Sequence, residues 1–333
     1  MAGLIDSIYK NYRERNQLYS VIIELTYRCV CRCVHCYIDE HHSDELSTDE
    51  IRAVLRQLAE EGVVGLSLTG GEVFVRDDLE AILEEACRNG FLTTVLTTGI
   101  LIDESAADMM KKNRVGDVEI SIMGANASTH DSIMRHPGAF EAMLRAVRLL
   151  KARGINVVLK NSILKQNYTQ LEDMAALAAS MECLFNASLT VLPTIAGGGE
   201  PQGYALDYDT ARSLNPKLVN GGLAFGEDSS NGAILGCNAG KINCAISPFG
   251  DVYPCLIWRR SIGNVREKCI KDIWHGTIDP YLSDIRDSKR EESVECFACP
   301  SRNNCRRCPG MAFSETGDFR APVASACRLA GKK

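Results

Sequence analysis

The sequence has no apolar run approaching the eighteen or so residues of a membrane span, and no apolar signal core ahead of Asp6. Neither membrane insertion nor export is expected, so the chain is expected in the cytoplasm. Basic residues are not in excess either: 37 Lys and Arg stand against 43 Asp and Glu, a net charge of −6. A nucleic-acid or polyanion surface needs clustered basic side chains, so such partners are not expected. Apart from alternating strand and helix patterns there is no internal repeat. What the chain has in quantity is cysteine, fifteen residues in 333. In a reducing compartment an odd count with tight Cys-x2-Cys pairs points to metal binding or catalysis, not to a disulfide framework.

The densest group is Cys29-Val-Cys31-Arg-Cys33-Val-His35-Cys36-Tyr37, directly after the apolar run Val21-Ile22-Ile23-Glu24-Leu25. Iron–sulfur clusters are held by thiolates, four for an ordinary four-iron cluster, so three cysteines standing alone leave one iron open for chemistry. The plainer alternatives are a zinc knuckle or reduced core cysteines. Cys31-Arg-Cys33 is not a usual ligand pair, and Cys31 reads as a spare.

Around this loop the pattern alternates. A lead-in helix is expected over residues 4–17 and a first strand over Ser20–Thr26. Ser47-Thr48-Asp49-Glu50 offers a capping box before Ile51, Val54, Leu55 and Leu58 at helical spacing. Further strands are expected at Val63–Leu68, Phe91–Leu96, Val115–Ile122, Asn156–Ile163 and Ala187–Leu192. Helical patterns lie between them at Asp78–Asn89, Glu104–Lys112, Phe140–Arg153 and Leu171–Met181. Six strands alternating with helices imply right-handed crossovers and a parallel α/β sheet, a partial TIM-like (β/α)6 barrel whose functional face is at the strand C-termini. From Pro193 the pattern stops, and the Gly/Asn/Ser-rich stretch to Gly236 reads as a bridge with one short helix near Tyr208–Leu214. The expected division is a lead-in at 1–19, a barrel at 20–193, a bridge at 194–235 and a cysteine-rich domain at 236–333.

Cys29, Cys33 and Cys36 have the Cys-x3-Cys-x2-Cys spacing, with a trailing aromatic at Tyr37, of the radical S-adenosylmethionine enzymes, and the sequence resembles that superfamily. The resemblance implies that the open iron binds the amino and carboxylate groups of S-adenosylmethionine. It also implies that Gly70-Gly71-Glu72, at the end of the second strand, contacts the methionine amino group. Ser121 and Arg135 match positions that similar enzymes use for the ribose and the methionine carboxylate; alternatively, they are a strand end and a surface charge. The commoner Ser-Leu-Asp-Gly is here Ser121-Ile122-Met123-Gly124, and Thr97-Thr98-Gly99 replaces Thr-Asn-Gly. His41, His42, His130 and His136 have no second ligand at metal spacing, so solvated or structural roles are expected.

The C-terminal third carries Cys237, Cys255, then Cys296-x2-Cys299-x5-Cys305-x2-Cys308, and Cys327. It resembles the SPASM extension of the same superfamily, with seven cysteines and two auxiliary four-iron clusters; the last spacing is two residues where the family usually has three. Carried over by position, Cys237, Cys255 and Cys308 hold the first cluster, and Cys296, Cys299, Cys305 and Cys327 the second. The fourth ligand of the first could be Cys244, another side chain, or none. A zinc ribbon on Cys296, Cys299, Cys305 and Cys308 is the alternative, but its inner spacing is short for that motif. Pro248–Cys255 looks like the SPASM hairpin with Gly250 at its turn, Ile270–His275 its helix, and Thr316-Gly317-Asp318 its late turn. Cys87 and Cys183 are expected to be small buried residues.

The resemblance implies reductive cleavage of S-adenosylmethionine to a 5′-deoxyadenosyl radical that takes hydrogen from a substrate, with a flavodoxin- or ferredoxin-type electron donor. The expected substrate is a ribosomal peptide side chain receiving a thioether, a carbon–carbon crosslink or a dehydrogenation. The twenty or so residues before the first strand are too few for a fused recognition domain, so a separate leader-binding protein is expected, or direct capture. Leu256 stands where the sulfatase-maturing branch has its catalytic aspartate, which disfavours that branch. Tetrapyrrole side-chain modification is the enzymatic alternative, and an iron–sulfur electron-transfer or scaffold protein the non-enzymatic one. No catalytic residue beyond the cluster is assigned.

Overall fold

The computed structural model describes residues 2–39, 44–215, 217–219, 237–276, 279–288, 294–300, 305 and 307–330. Helix α1 (Ala2–Glu14) leads into β1 (Ser20–Glu24), and five βα units follow: α2 (Thr48–Glu60), β2 (Gly65–Thr69), α3 (Leu79–Arg88), β3 (Leu92–Thr97), α4 (Glu104–Lys112), β4 (Asp117–Ser121), α5 (Ala127–Met134), α6 (Ala139–Ala152), β5 (Asn156–Ser162), α7 (Leu171–Ser180) and β6 (Leu184–Ser188). Then come α8 (Tyr208–Ser213), the strands β7 (Asn243–Ile246), β8 (Asp251–Tyr253) and β9 (Gly263–Asn264), and helices α9 (Ile270–His275), α10 (Pro280–Asp287), α11 (Val294–Phe297), α12 (Pro309–Thr316) and α13 (Ala324–Leu329). His41, His42 and most of the expected bridge lie outside the described residues.

One nine-stranded sheet runs in the order β6-β5-β4-β3-β2-β1-β7-β8-β9 and does not close. The six barrel strands are parallel, and β7 extends them in parallel on the far side of β1, with Val21 opposite Cys244. The antiparallel hairpin β7–β8 and strand β9 complete the sheet. The C-terminal region therefore continues the barrel sheet.

Alternation sorts the strand residues into two faces. Val21 and Ile23, Leu66 and Leu68, Val95, Val118 and Ile120, Val157 and Leu159 form one core with the inner stripes of the helices, among them Leu55 and Leu58 of α2 and Met143 and Val147 of α6. The other set faces the concave side of the open barrel and is mixed: Glu24, Ser67, Thr94, Asp117, Glu119, Ser121, Lys160, Ser162, Asn186 and Ser188 stand there with Ile22, Leu96, Val158 and Leu184. Only a sheet with helices on one face and a ligand space on the other needs this division.

Within the barrel, two elements depart from the sequence reading. The last barrel strand is Leu184–Ser188, not Ala187–Leu192. Helix α7 ends at Ser180, Glu182 turns the chain in the left-handed region (φ 53), and pairing of Val158 with Leu184 through Ser162 with Ser188 uses up the length of β5. Residues 189–192 thus run past the strand they would pair with. Helix α5, capped by Asn126 accepting from the Thr129 N–H at 3.0 Å, was not expected.

The capping box is formed as expected: Ser47 accepts from the Glu50 N–H, and Glu50 accepts from the Ser47 N–H. Leu55 is fully buried, so Leu55→Ala is expected to lower unfolding free energy by about 2–5 kcal/mol through lost apolar burial and the cavity left. Ser47→Ala, which removes one side-chain acceptor, is expected to cost about 1 kcal/mol. Anaerobic urea titration followed by circular dichroism checks both.

Candidate functional site

The cysteine loop leaves β1 at its C-terminal end, and its entry and exit are clamped together. Glu45 accepts from the Thr26 hydroxyl (2.6 Å) and the Tyr27 N–H (3.0 Å), while buried Arg76 donates to the carbonyls of Leu25 and Leu46. The end of α5 holds the loop from the other side, since the Arg32 N–H donates to Met134 and the Val34 N–H to Ile133. The residue after Met134 is Arg135, a left-handed C-cap (φ 50), exposed beside the loop. His136 Nδ1 lies 3.2 Å from the Val30 carbonyl, which gives it the structural part expected of it.

The three thiols share one short loop without closing round a common point. The Cys31 N–H donates to Cys29 Sγ at 3.3 Å, Cys33 Sγ lies 3.5 Å from the Met134 sulfur, and the Cys29 thiol acts electrostatically on Cys36. A hydrogen bond from the Cys31 side chain and then burial push the Cys29 thiol well above its ordinary range, and burial raises Cys36. Thiols raised in this way stay neutral until a metal supplies positive charge. Between Cys33 and Cys36, His35 has a buried Nδ1 with no hydrogen-bond partner. A set of three soft donors with an orphaned polar atom beside them fits an iron–sulfur cluster. Cys31 is buried among Met123, Ile133 and Met134, consistent with a spare.

Gly70 and Gly71 pack against this loop. A Cβ on Gly70 (φ +146) would stand 2.2 Å from the Thr26 carbonyl, and one on Gly71 would stand 2.4 Å from the Arg28 carbonyl and 2.9 Å from Cys29 Cβ. The glycines let strand β2 lie directly on the cysteine loop. Glu72 follows, fully buried, and accepts from the Thr97 hydroxyl (2.7 Å), the Thr98 N–H (2.8 Å), the Thr98 hydroxyl and the Phe74 N–H. Thr97-Thr98 thus orients the carboxylate that the sequence singled out. Ser121 ends β4 on the concave face, directly opposite Lys160 of β5, whose ammonium lies 2.9 Å from the Glu119 carboxylate.

Sequence reasoning missed Glu24, Tyr27 and Arg259. Glu24, fully buried at the end of β1, receives both Arg259 Nη2 contacts (2.8 and 2.9 Å), the Tyr37 hydroxyl (2.8 Å) and the Tyr27 hydroxyl (3.2 Å). The only signal in the sequence was an acid inside an otherwise apolar strand. Its partner is 235 residues away, which no local pattern relates to it.

Several of the C-terminal cysteines are close enough to act on one another electrostatically. Burial, then the thiols of Cys237 and Cys308, raise Cys255; burial, then Cys308 among other groups, pushes Cys237 up to about 11. Burial, then Cys327, Cys296 and Cys299, raise Cys305. Arg307, also unforeseen, hydrogen-bonds Cys296, acts electrostatically on Cys308 and Cys305, and donates to the Ala321 carbonyl. Among the described residues no three His, Cys, Asp or Glu side chains close round a single ion. Cys244, the suggested fourth ligand, belongs elsewhere: β7 points it into the barrel core, where burial alone pushes its thiol up to about 12. Gly250 (φ 90) makes the hairpin turn and Gly317 (φ 78) caps α12, as the resemblance implied.

Residues 23–178 match the family model of the radical SAM superfamily, and residues 237–309 match the SPASM iron–sulfur cluster-binding domain. The chain belongs to the radical SAM superfamily. It is a radical SAM enzyme with a C-terminal SPASM domain, and its cofactors are four-iron clusters and S-adenosylmethionine. It is 25% identical to the AdoMet-dependent heme synthase of Methanosarcina barkeri over 93% of this chain and 96% of that protein. It is 28% identical to the mycofactocin maturase MftC of Mycobacterium tuberculosis (85% and 76%). It is 25% identical to the subtilosin biosynthesis protein AlbA of Bacillus subtilis (86% and 66%). The fold matches that of Streptococcus suis SuiB bound to S-adenosylmethionine, with a TM-score of 0.74 at 18% identity over 94% of this chain and 78% of that one. No described helix is long and apolar enough to cross a membrane.

Gly71→Ala forces the Arg28 carbonyl and Cys29 away from β2. The expected result is loss of the loop's share of iron, about four of about twelve irons per chain, with the remainder kept. Iron and acid-labile sulfide assays on anaerobically reconstituted protein check it.

Proposed function

We propose that this enzyme modifies a side chain of a ribosomal peptide. Cys29, Cys33 and Cys36 hold the catalytic cluster; Cys237, Cys255 and Cys308 hold one auxiliary cluster, and Cys296, Cys299, Cys305 and Cys327 the other. The barrel spans residues 20–193 and the auxiliary domain 236–333. When bound and reduced, the catalytic cluster with S-adenosylmethionine supplies a hydrogen-abstracting radical. The protein's own groups do the rest. Glu72, held by Thr97 and Thr98, accepts from the methionine ammonium; Arg135 presents a planar fork to its carboxylate; Ser121 bonds the ribose. The glycines at 70 and 71 keep the loop and β2 close enough to exclude water from the reacting centre.

The observation that carries the peptide reading is the group of charged and hydrogen-bonding side chains that the concave wall carries beside Ile22, Leu96, Val158 and Leu184. Glu119 and Lys160 form an ion pair there, flanked by Ser121, Ser162, Asn186 and Ser188. Sites for large apolar ligands are lined mainly by hydrophobic and aromatic side chains, whereas a backbone with polar side chains finds partners on this wall. The maturases MftC and AlbA and the SuiB structure with precursor peptide SuiA point the same way. The likeness to heme synthases makes a tetrapyrrole the competing substrate. A separate leader-binding protein and a flavodoxin- or ferredoxin-type reductant complete the system, in the cytoplasm.

The deciding experiment supplies reconstituted enzyme, reductant and S-adenosylmethionine with either a short precursor peptide encoded beside the gene or a tetrapyrrole bearing propionates. A mass change in the peptide alone, with 5′-deoxyadenosine formed, is expected; a change in the tetrapyrrole alone overturns the reading. Glu72→Gln removes the charge that meets the ammonium, and is expected to keep its iron while weakening S-adenosylmethionine binding about tenfold in equilibrium dialysis. Lys160→Met is expected to raise the KM for the peptide about tenfold and leave substrate-free cleavage of S-adenosylmethionine unchanged.

A further inference from the structure

The Glu24–Arg259 pair is not part of any role assigned so far, yet it joins the two cysteine-bearing regions at their chemical ends. Tyr37 follows Cys36. Arg259 comes from the turn after Cys255, closed by the Trp258 N–H donating to the Cys255 carbonyl at 3.1 Å and by a bridge between the two residues. Trp258 itself is fully buried against Phe319 and Tyr281, which fixes where the next residue points.

Between these ends lies a single buried charge cluster. Arg259 is enclosed by three tyrosine rings, with its guanidinium carbon 5.9 Å from the centre of Tyr27, 5.3 Å from Tyr37 and 5.6 Å from Tyr253, which stands two residues before Cys255. Its Nη1 donates to the Tyr27 hydroxyl at 2.8 Å, and its Nη2 reaches both Glu24 oxygens. Glu24 in turn holds the Tyr37 hydroxyl, while the Tyr37 carbonyl accepts from the Ile195 N–H at 2.8 Å. Tyr37 is therefore gripped at both ends, and the carboxylate that grips its hydroxyl is itself held in place by the Arg259 fork.

We propose that Arg259 is a positioning residue for the catalytic cysteine loop. Through Glu24 it fixes Tyr37, and with it the backbone beside Cys36, in the conformation that S-adenosylmethionine binds, so the C-terminal domain supplies an essential part of the cofactor site of the barrel. Removing the guanidinium leaves Glu24 buried with two hydroxyls and no countercharge. With the fork gone, nothing holds the carboxylate in line with the Tyr37 hydroxyl, and that hydrogen bond loosens. A lysine delivers the charge but not the fork, so it restores the position only in part.

The inference rests on the cysteine loop holding the cluster that binds S-adenosylmethionine. Its test therefore begins with the wild-type, full-length, reconstituted protein. A change in the electron paramagnetic resonance spectrum of the reduced catalytic cluster on adding S-adenosylmethionine supports that base, and no change overturns the base itself. Arg259→Met is expected to keep full iron, lose that spectral change and bind S-adenosylmethionine about tenfold more weakly, with Arg259→Lys recovering part of both. Should Arg259→Met fail to load iron, the double variant Glu24→Gln/Arg259→Met, which leaves no buried charge, and Tyr37→Phe, which removes only the hydroxyl, carry the test. Each is expected to load iron and to show a weakened or altered spectral change. Full iron with a wild-type spectrum and affinity within about twofold in these variants overturns the proposal.

Discussion

Parallel pairing of six strands is the constraint on which this molecule depends. Strands that run the same way place all their carboxyl ends at one rim, so the loops leaving β1, β2, β3 and β4 meet there whatever their separation in the chain. Cysteine loop, Gly70-Gly71-Glu72, Thr97-Thr98 and Ser121 are each one strand end. The ladder between Ile23 and Leu68, and between Leu68 and Val95, sets their heights to within a residue. Helices on one face leave the other free to carry polar groups, and a nine-stranded sheet that does not close leaves that face open at its side.

Against that frame the cysteine loop is held by groups with no thiol chemistry of their own. Glu45 and Arg76 close its base, α5 supports its middle, and Glu24 with Arg259 fixes its far end. The buried charges are costly to desolvate, and each is satisfied by several partners, which is the condition under which such groups specify a conformation. These contacts, not the thiols themselves, set the course of the loop that carries Cys29, Cys33 and Cys36. The C-terminal region contributes to this rigidity directly, since β7 pairs with β1 and the turn after Cys255 delivers Arg259.

Much of the chemistry was legible in the sequence. The Cys29/Cys33/Cys36 spacing, the Gly70-Gly71-Glu72 element and the seven later cysteines stand out because metal ligation imposes short fixed spacings and glycine imposes a backbone that other residues cannot adopt. Five of the six barrel strands and the helices around them were legible from period alone. The sixth strand was misplaced because apolar residues 189–192 look like a strand, while the length of β5 decides what is paired. Helix α5 escaped notice because a single Asn126 cap and a short weakly amphipathic run carry little signal.

By itself the sequence determined the family, the cofactor class and the alternation of the barrel, since all of these follow from local spacing and composition. Tertiary structure alone decided that Cys244 belongs to the core, that Arg307 meets Cys296, and that Glu24 meets Arg259. Those are statements about which side chains share a buried space. Sequence separation does not encode that distance: Cys244 and Val21 are register partners across a parallel pair, and Glu24 and Arg259 touch across 235 residues. The desolvation of a charge, which makes such a pair matter, exists only once the chain has closed around it.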